Sequence, residues 1–203
     1  MPSISPTARY SELDAVNAVL TNIGQSPVNS LTDSSVDIGM AVRVLGNSSR
    51  ELQLRGWSFN VDEEYTLTSN SDSKIPITDT MLAVEVDRFT YPKLDVVIRG
   101  SFLYNRYGNT YVFGSSIEAE VTWLLPWDEL PPHAQNYITV TSALRMADDV
   151  EAGSLTHRFN QEDQMHAWNS FKSQEIDTND ANLVRIRRSA ALRFRPRTTS
   201  YAN

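Results

Sequence analysis

Residues 52–60, LQLRGWSFN, change the hydrophobic period of the chain at a single glycine. Before them, Ile38, Ala41, Val42, Leu45 and Leu52 recur at the three- and four-residue steps of a helix with one buried stripe. After Arg55 and Gly56, the apolar residues Trp57, Phe59 and Val61 stand at every second place, the period of a strand. A chain that makes this switch must build a junction between a helix and strands. Gly56 is the residue type that ends a helix in a left-handed turn. Trp57 and Phe59, two large aromatics directly behind it, have the bulk to fill such a junction.

The pattern on either side extends the reading. Leu13, Val16, Val19, Leu20 and Ile23 mark a first amphipathic helix, with Ser11 as its cap and Gly24 with Pro27 as its stop. Asp33 or Ser34 is placed to cap the second. Strand signals follow around Leu82–Val84–Val86, over residues 94–99, and at Ile117, Ala119, Val121 and Trp123. Residues 102–106 and 110–113 flank Tyr107-Gly108-Asn109 as a hairpin. Prolines 126, 131 and 132, with Trp127 among them, break the last strand and open a third helix carrying Tyr137, Val140, Thr141, Leu144 and Ala147 on one face. A fourth is expected over residues 154–176, with Leu155, Phe159, Trp168 and Phe171 inward. Past Asp177 no steady period survives. The expected architecture is α+β: an antiparallel-type bundle of about four helices, an inserted β domain of about five or six strands, and an extended C-terminal arm. Residues 9–56 and 126–177 make the helical bundle, 57–125 the β domain and 178–203 the arm. Gly56, Trp57, Phe59 and Trp127 sit where the chain enters and leaves the β domain and form the expected structural joint.

Charge divides the chain unevenly. From Ala181 onward there are six arginines, Arg185, Arg187, Arg188, Arg193, Arg195 and Arg197, and no acid. Of 18 basic residues these are six, which leaves 12 against 25 acids before Ala181, a body at −13 in a chain at −7. An acidic body with a basic terminus points to a partner-directed segment. Arginine forks onto carboxylates of a protein surface or onto nucleic-acid phosphates; an alternative function is therefore nucleic-acid binding through this arm.

Several chemistries are excluded or lack support. With no cysteine there is no disulfide framework, thiolate metal site or thiol nucleophile. The histidines, His133, His157 and His166, do not stand at metal-ligand spacing, and no phosphate-binding or nucleophile-elbow motif occurs. The longest apolar run, near residues 121–127, is too short to span a bilayer. The acid runs Asp62-Glu63-Glu64, Asp128-Glu129 and Asp148-Asp149 leave a second alternative, a glycan hydrolase. On a strand, however, adjacent acids face opposite ways. No cofactor and no catalytic residue is expected.

Four segments together carry a family resemblance: ELDAVNAVLTNIGQSPVNSL at 12–31, VRVLGNSSRELQLRGWSFNVDEE at 42–64, VVIRGSFLYNRYGNTYVF at 96–113 and VTWLLPWDELPPHAQNYITVTSALR at 121–145. In order and spacing they resemble the tail tubular protein A family, the head-to-tail adaptors of short-tailed bacteriophages. The resemblance covers about residues 10–175, and the arm beyond 178 does not closely match. It implies a helical bundle with a β domain, assembled as a homo-oligomeric, dodecameric ring between the portal protein and the tail nozzle protein, tail tubular protein B. It further implies attachment of a tail fibre protein near the junction with the nozzle, and DNA passing through the channel without sequence-specific binding. The implied location is the neck of the virion tail, after synthesis in the host cytoplasm.

Overall fold

Ser11 starts the first helix, α1 (Glu12–Asn22). Its hydroxyl accepts the Asp14 N–H at 3.1 Å, and the Asp14 carboxylate accepts the Ser11 N–H at 3.0 Å, so two of the helix's orphan donors are satisfied reciprocally. The Ser11 hydroxyl also donates to that carboxylate, which holds Asp14 below the ordinary carboxyl range. Gly24, at φ +78°, closes the other end: its N–H reaches Thr21 O and the Gln25 N–H reaches Leu20 O. The structure is a computed structural model that describes residues 9–32, 35–150 and 161–193. After α1 come α2 (Val36–Gln53), β1 (Val61–Leu67), β2 (Met81–Glu85), β3 (Val96–Arg99), β4 (Phe102–Asn105) and β5 (Ile117–Trp123). A 3-10 turn (Trp127–Glu129), α3 (Pro132–Val150) and α4 (Gln161–Arg193) complete the order. The α+β architecture expected from sequence is present.

Helix α3 is the axis of the helical body. It packs on α1, α2 and α4, and its buried residues, among them Ala134, Ile138, Ala143, Met146 and Ala147, lie around much of its circumference. Small side chains let the neighbours approach. The polar residues that this central position buries are bonded: Thr139 Oγ1 donates to Gln135 O, and Asn22 Nδ2 on α1 donates to Ala143 O at 2.9 Å. Helix α4 runs antiparallel to α3, with Gln164 beside Thr141, Trp168 on Tyr137 and Glu175 against His133.

The β unit has its own core. A three-stranded antiparallel sheet of order β1-β5-β2 and the antiparallel pair β3–β4 enclose Leu67, Ile75, Val84, Leu103, Phe113, Ile117, Ala119 and Val121. No helix among the described residues is long and apolar enough to cross a membrane.

The structure differs from the sequence expectations in four places. Trp57 and Phe59 are not in a strand. The chain turns over Trp57–Asn60, with the Asn60 N–H on Trp57 O at 3.0 Å, and β1 begins at Val61. Two aromatics at alternate positions satisfy a tight turn as well as a strand. Residues 110–113 form no second hairpin strand: Thr110 exchanges both backbone bonds with Asn105 in one bridge, and the Phe113 N–H then goes to Ser73 O at 2.7 Å. The N-cap of α2 is Ser35, without a side-chain bond, while Asp33, Ser34, Leu155 and Phe159 lie outside the described residues. Residues 178–193 are helical where an extended arm was expected. From Gln161 to Arg195 there is neither glycine nor proline, and alanine, leucine and arginine recur. Such a composition lets a helix already nucleated by the packed turns at Trp168 and Phe171 continue without an apolar stripe of its own.

Candidate functional site

The joint is built from two buried amides. Gly56, at φ +68°, turns the chain out of α2 in a conformation that side-chain-bearing residues rarely adopt. Asn60, 2% exposed, then ties the backbone at Gln53 and Trp57 to that at Trp123. Its Oδ1 accepts the Trp57 N–H at 2.8 Å, and its Nδ2 donates to Gln53 O at 2.9 Å and Trp123 O at 2.7 Å. Its own carbonyl accepts the Trp123 N–H. Gln53, fully buried, does the same for the returning chain: Oε1 accepts the Leu125 N–H at 2.7 Å and Nε2 donates to Leu125 O at 3.2 Å. The segment leaving the helices and the segment coming back are thereby fastened to one another. Each such bond contributes about 1 kcal/mol net, but an amide removed here strands buried backbone groups at about 1–3 kcal/mol each.

Aromatic side chains close the joint on the helical side. The Trp57 ring meets Phe171 edge-on at 4.6 Å and Trp168 at 5.9 Å, and its indole N–H donates to Leu52 O at 2.7 Å. Phe59 also meets Phe171, at 6.5 Å. Trp127, on the return path, meets the Tyr10 ring at a tilt, 6.1 Å between centres, and its indole N–H donates to the Tyr10 carbonyl at 3.0 Å. Gln135 Nε2 donates to Trp127 O. Trp57, Phe59 and Trp127 all pack on the helical core, Trp57 and Phe59 against Phe171 and Trp127 against Tyr10.

Glu175 of α4, 3% exposed, accepts the Ser58 hydroxyl at 2.7 Å and the Ser58 N–H at 3.3 Å, and its other oxygen faces His133 Nε2 at 2.9 Å. A buried carboxylate needs such partners. The order of groups matters for chemistry. A hydrolytic triad places the imidazole between serine and acid, where it can take the serine proton. Here the acid lies between serine and imidazole, so His133 is not placed to take the Ser58 proton. The network fastens α4 to the first turn of α3 and to the turn at Trp57–Asn60.

Both halves of this arrangement fall within a single family match. The family model for tail tubular proteins matches residues 13–181, from α1 into α4. The chain belongs to the tail tubular protein family. Tail tubular protein A of Klebsiella phage KP34 is 28% identical over 184 residues, covering 88% of this chain and 97% of that protein. As a tail tubular protein, the chain is a structural component of the bacteriophage tail and of the virion. The family match takes in every joint residue, including Gln53, Asn60 and Glu175, which sequence reading passed over. Their signal is weak but present: Gln53 directly follows a buried leucine on the stripe of α2, and Asn60 ends the very stretch where the period changes.

The remaining candidates are dispersed over this tail tubular protein. Arg185, Arg187, Arg188 and Arg193 fall on the backbone of α4 beyond the family match, and Arg195 and Arg197 lie outside the described residues. Asp62 accepts the Trp123 indole N–H at 2.8 Å. Glu63 and Glu64 stand in the bulge of β1 between Asp62 and Tyr65, with Glu64 at φ +56°. Asp128 and Glu129 are exposed on the 3-10 turn. A cleft of about 430 Å³ on the sheet contains Glu63, Glu64, Glu85, Asp87, Glu118 and Glu120, but neither Asp128 nor Glu129. In it, Asp87 is held below the ordinary carboxyl range by the Thr90 hydroxyl and the Phe89 N–H. A carboxyl of that kind is unsuited to donate a proton to a leaving group.

Proposed function

We propose that the chain is a ring-forming head-to-tail adaptor. In this reading copies assemble into a homo-oligomeric ring, with twelve the number implied by the resemblance, in the neck between capsid and nozzle. The portal protein binds above, the nozzle protein tail tubular protein B below, and a tail fibre protein near the junction with the nozzle. Synthesis in the host cytoplasm precedes assembly. DNA passes through the central channel during ejection, and a net acidic body favours passage over adhesion because it repels phosphate. The protein works by geometry and interfaces, without catalysis or cofactor.

The joint is the observation that carries this reading. The buried polar side chains around it, Gln53, Asn60 and Glu175, are committed to fixing a helical body and a β unit at one angle. A subunit that must meet identical neighbours around a ring needs such a fixed angle, since a small error per subunit prevents closure. Gly56, Trp57, Phe59 and Trp127 set that angle, and the arginines from Arg185 to Arg197 reach an acidic surface of a partner. Electron microscopy of the purified protein with its portal tests the proposal. The expected image is a closed ring on the narrow end of the portal; absence of portal binding, or binding without a ring, overturns it.

A further inference from the structure

We propose that neighbouring copies meet head-to-tail through two unlike faces of the β unit: the aromatic and cationic outer face of β3–β4 in one copy, and the acidic outer face of β2–β5 in the next. This rests on the reading that the chain assembles as a ring, and it names the surfaces that join.

The first face follows from register. Val97 lies opposite Tyr104 and Arg99 opposite Phe102, while the intervening Leu103 and Asn105 are buried. Alternation therefore puts Val97, Arg99, Phe102 and Tyr104 on the outer side. There the Arg99 guanidinium lies 3.9 Å from the centre of the Tyr104 ring, Tyr111 meets Tyr104 edge-on at 4.8 Å, and the Lys74 ammonium sits 5.5 Å over Phe102. Tyrosine and arginine are the residue types that anchor interfaces. Stacking holds the guanidinium in place beforehand, which lowers the ordering cost of a contact.

The second face carries a cluster of carboxylates, and Arg88 in the adjoining loop lies toward Asp95, at 3.8 Å. Glu85 of β2 is paired directly with Glu120 of β5, and Glu118 shares that strand. Like charges directly opposite on neighbouring strands are destabilising. The cleft they share with Glu63, Glu64 and Asp87 has no lysine or arginine in its lining. At its rim Phe89 is 98% exposed, held outward because the Asp87 carboxylate accepts the N–H groups of Phe89 and Thr90 and the Thr90 hydroxyl. An acidic hollow beside a projecting phenyl ring is the complement of a cationic, tyrosine-rich face.

Neither of the cations nor either of the rings they cover, Lys74, Arg99, Phe102 and Tyr104, lines the acidic cleft of its own chain. The charges are therefore left to meet between copies. Two unlike faces on one subunit make a heterologous contact, which closes into a ring when the rotation permits.

Sedimentation of the full chain, alone and with portal protein, tests the contact in wild type, Arg99→Glu, Glu120→Lys and the double variant. All the changed side chains are exposed, and circular dichroism checks that each variant keeps its fold. Each single reversal is expected to raise the concentration needed for assembly by about tenfold or more, and the double reversal to recover most of that loss, because the reversed charges again face opposites. Phe89→Ser is expected to weaken assembly as well. Single reversals that assemble like wild type, or a double variant as weak as the two losses combined, overturn the contact while leaving the ring reading intact. So does an unchanged ring that has lost binding of another tail protein or of nucleic acid. A wild-type chain that stays monomeric both alone and with portal overturns both readings.

Discussion

The helical body and the β unit solve burial in opposite ways. In the body, one helix is surrounded: α3 has neighbours in α1, α2 and α4, and buried polar side chains such as Gln135, Thr139 and Ser142 find partners within it. In the β unit the strands are short and the core is a thin layer. Of the seven residues of β1 only Leu67 is fully buried, and the outer surfaces carry charge and aromatic rings. The body therefore gathers its burial around one helix, while the β unit leaves more of its side chains facing solvent. The joint converts the rigidity of one into a fixed orientation of the other.

The harshest way to break that contrast is to hollow out each core in turn. Phe171→Ala removes a fully buried ring that touches Trp57, Phe59, Tyr137, His133 and Trp168. It should cost about 3–5 kcal/mol. Leu103→Ala, fully buried in the β unit, should cost about 2–5 kcal/mol, toward the low end because fewer layers surround it. Urea unfolding followed by circular dichroism and by tryptophan fluorescence reads the coupling. If the joint ties the two cores into one cooperative unit, both variants shift a single transition. A Leu103→Ala variant whose helical transition stays in place would mean the parts unfold independently and the joint transmits little.

Asn60→Ala addresses the joint itself and sits next in size. It deletes three hydrogen bonds, a buried one to Gln53 O and two part-buried ones to the Trp57 N–H and Trp123 O, and leaves two carbonyls and one N–H without those partners. The expected loss is about 2–4 kcal/mol. It should be accompanied by splitting of the unfolding transition, because the segments entering and leaving the β unit lose their tie. A loss under about 0.5 kcal/mol, the range of an ordinary surface change, would show that the aromatic contacts alone hold the angle.

How legible all this was in the sequence depended on the length of each period. Helices α1 and α2 announced themselves, since apolar residues repeated over several turns and Ser11 and Gly24 marked the ends of α1. The β strands were found roughly where alternation was clear, at Met81–Glu85 and Ile117–Trp123. Residues 57–60 misled because four residues hold too few positions to separate a turn from a strand. Residues 110–113 misled because only Thr110 pairs back to Asn105, while Phe113 takes its partner from Ser73, far away in sequence. The joint was half readable: a glycine followed by tryptophan marks a junction, but nothing local shows that Asn60 reaches Trp123 or that Glu175 comes back to Ser58. Those pairings exist only once the chain has folded. The helical course of residues 178–193 was missed by asking for an apolar face where composition lets a helix already packed at Trp168 and Phe171 continue.

The smallest effect belongs to the surface of the body, where Arg145 of α3 reaches Glu51 of α2 at 2.6 Å. The hydrogen bond from Arg145 pulls the Glu51 carboxyl below its ordinary value of 4.5, and the same bond raises the Arg145 guanidinium. The Glu51 side chain is 61% exposed, so solvent screens the pair, and it contributes about 0.2–1 kcal/mol. Because the folded pKa is depressed, this contribution is present above the unfolded pKa near 4.5 and fades as pH falls through the lower folded value. Glu51→Gln should therefore be slightly less stable than wild type at neutral pH, and the two should converge in acid. High salt should narrow the gap as well. A deficit that grows on acidification would assign the pair a different role, with Glu51 carrying a bond that survives protonation. The body would then owe part of its rigidity to its surface, not to the packing around α3 alone.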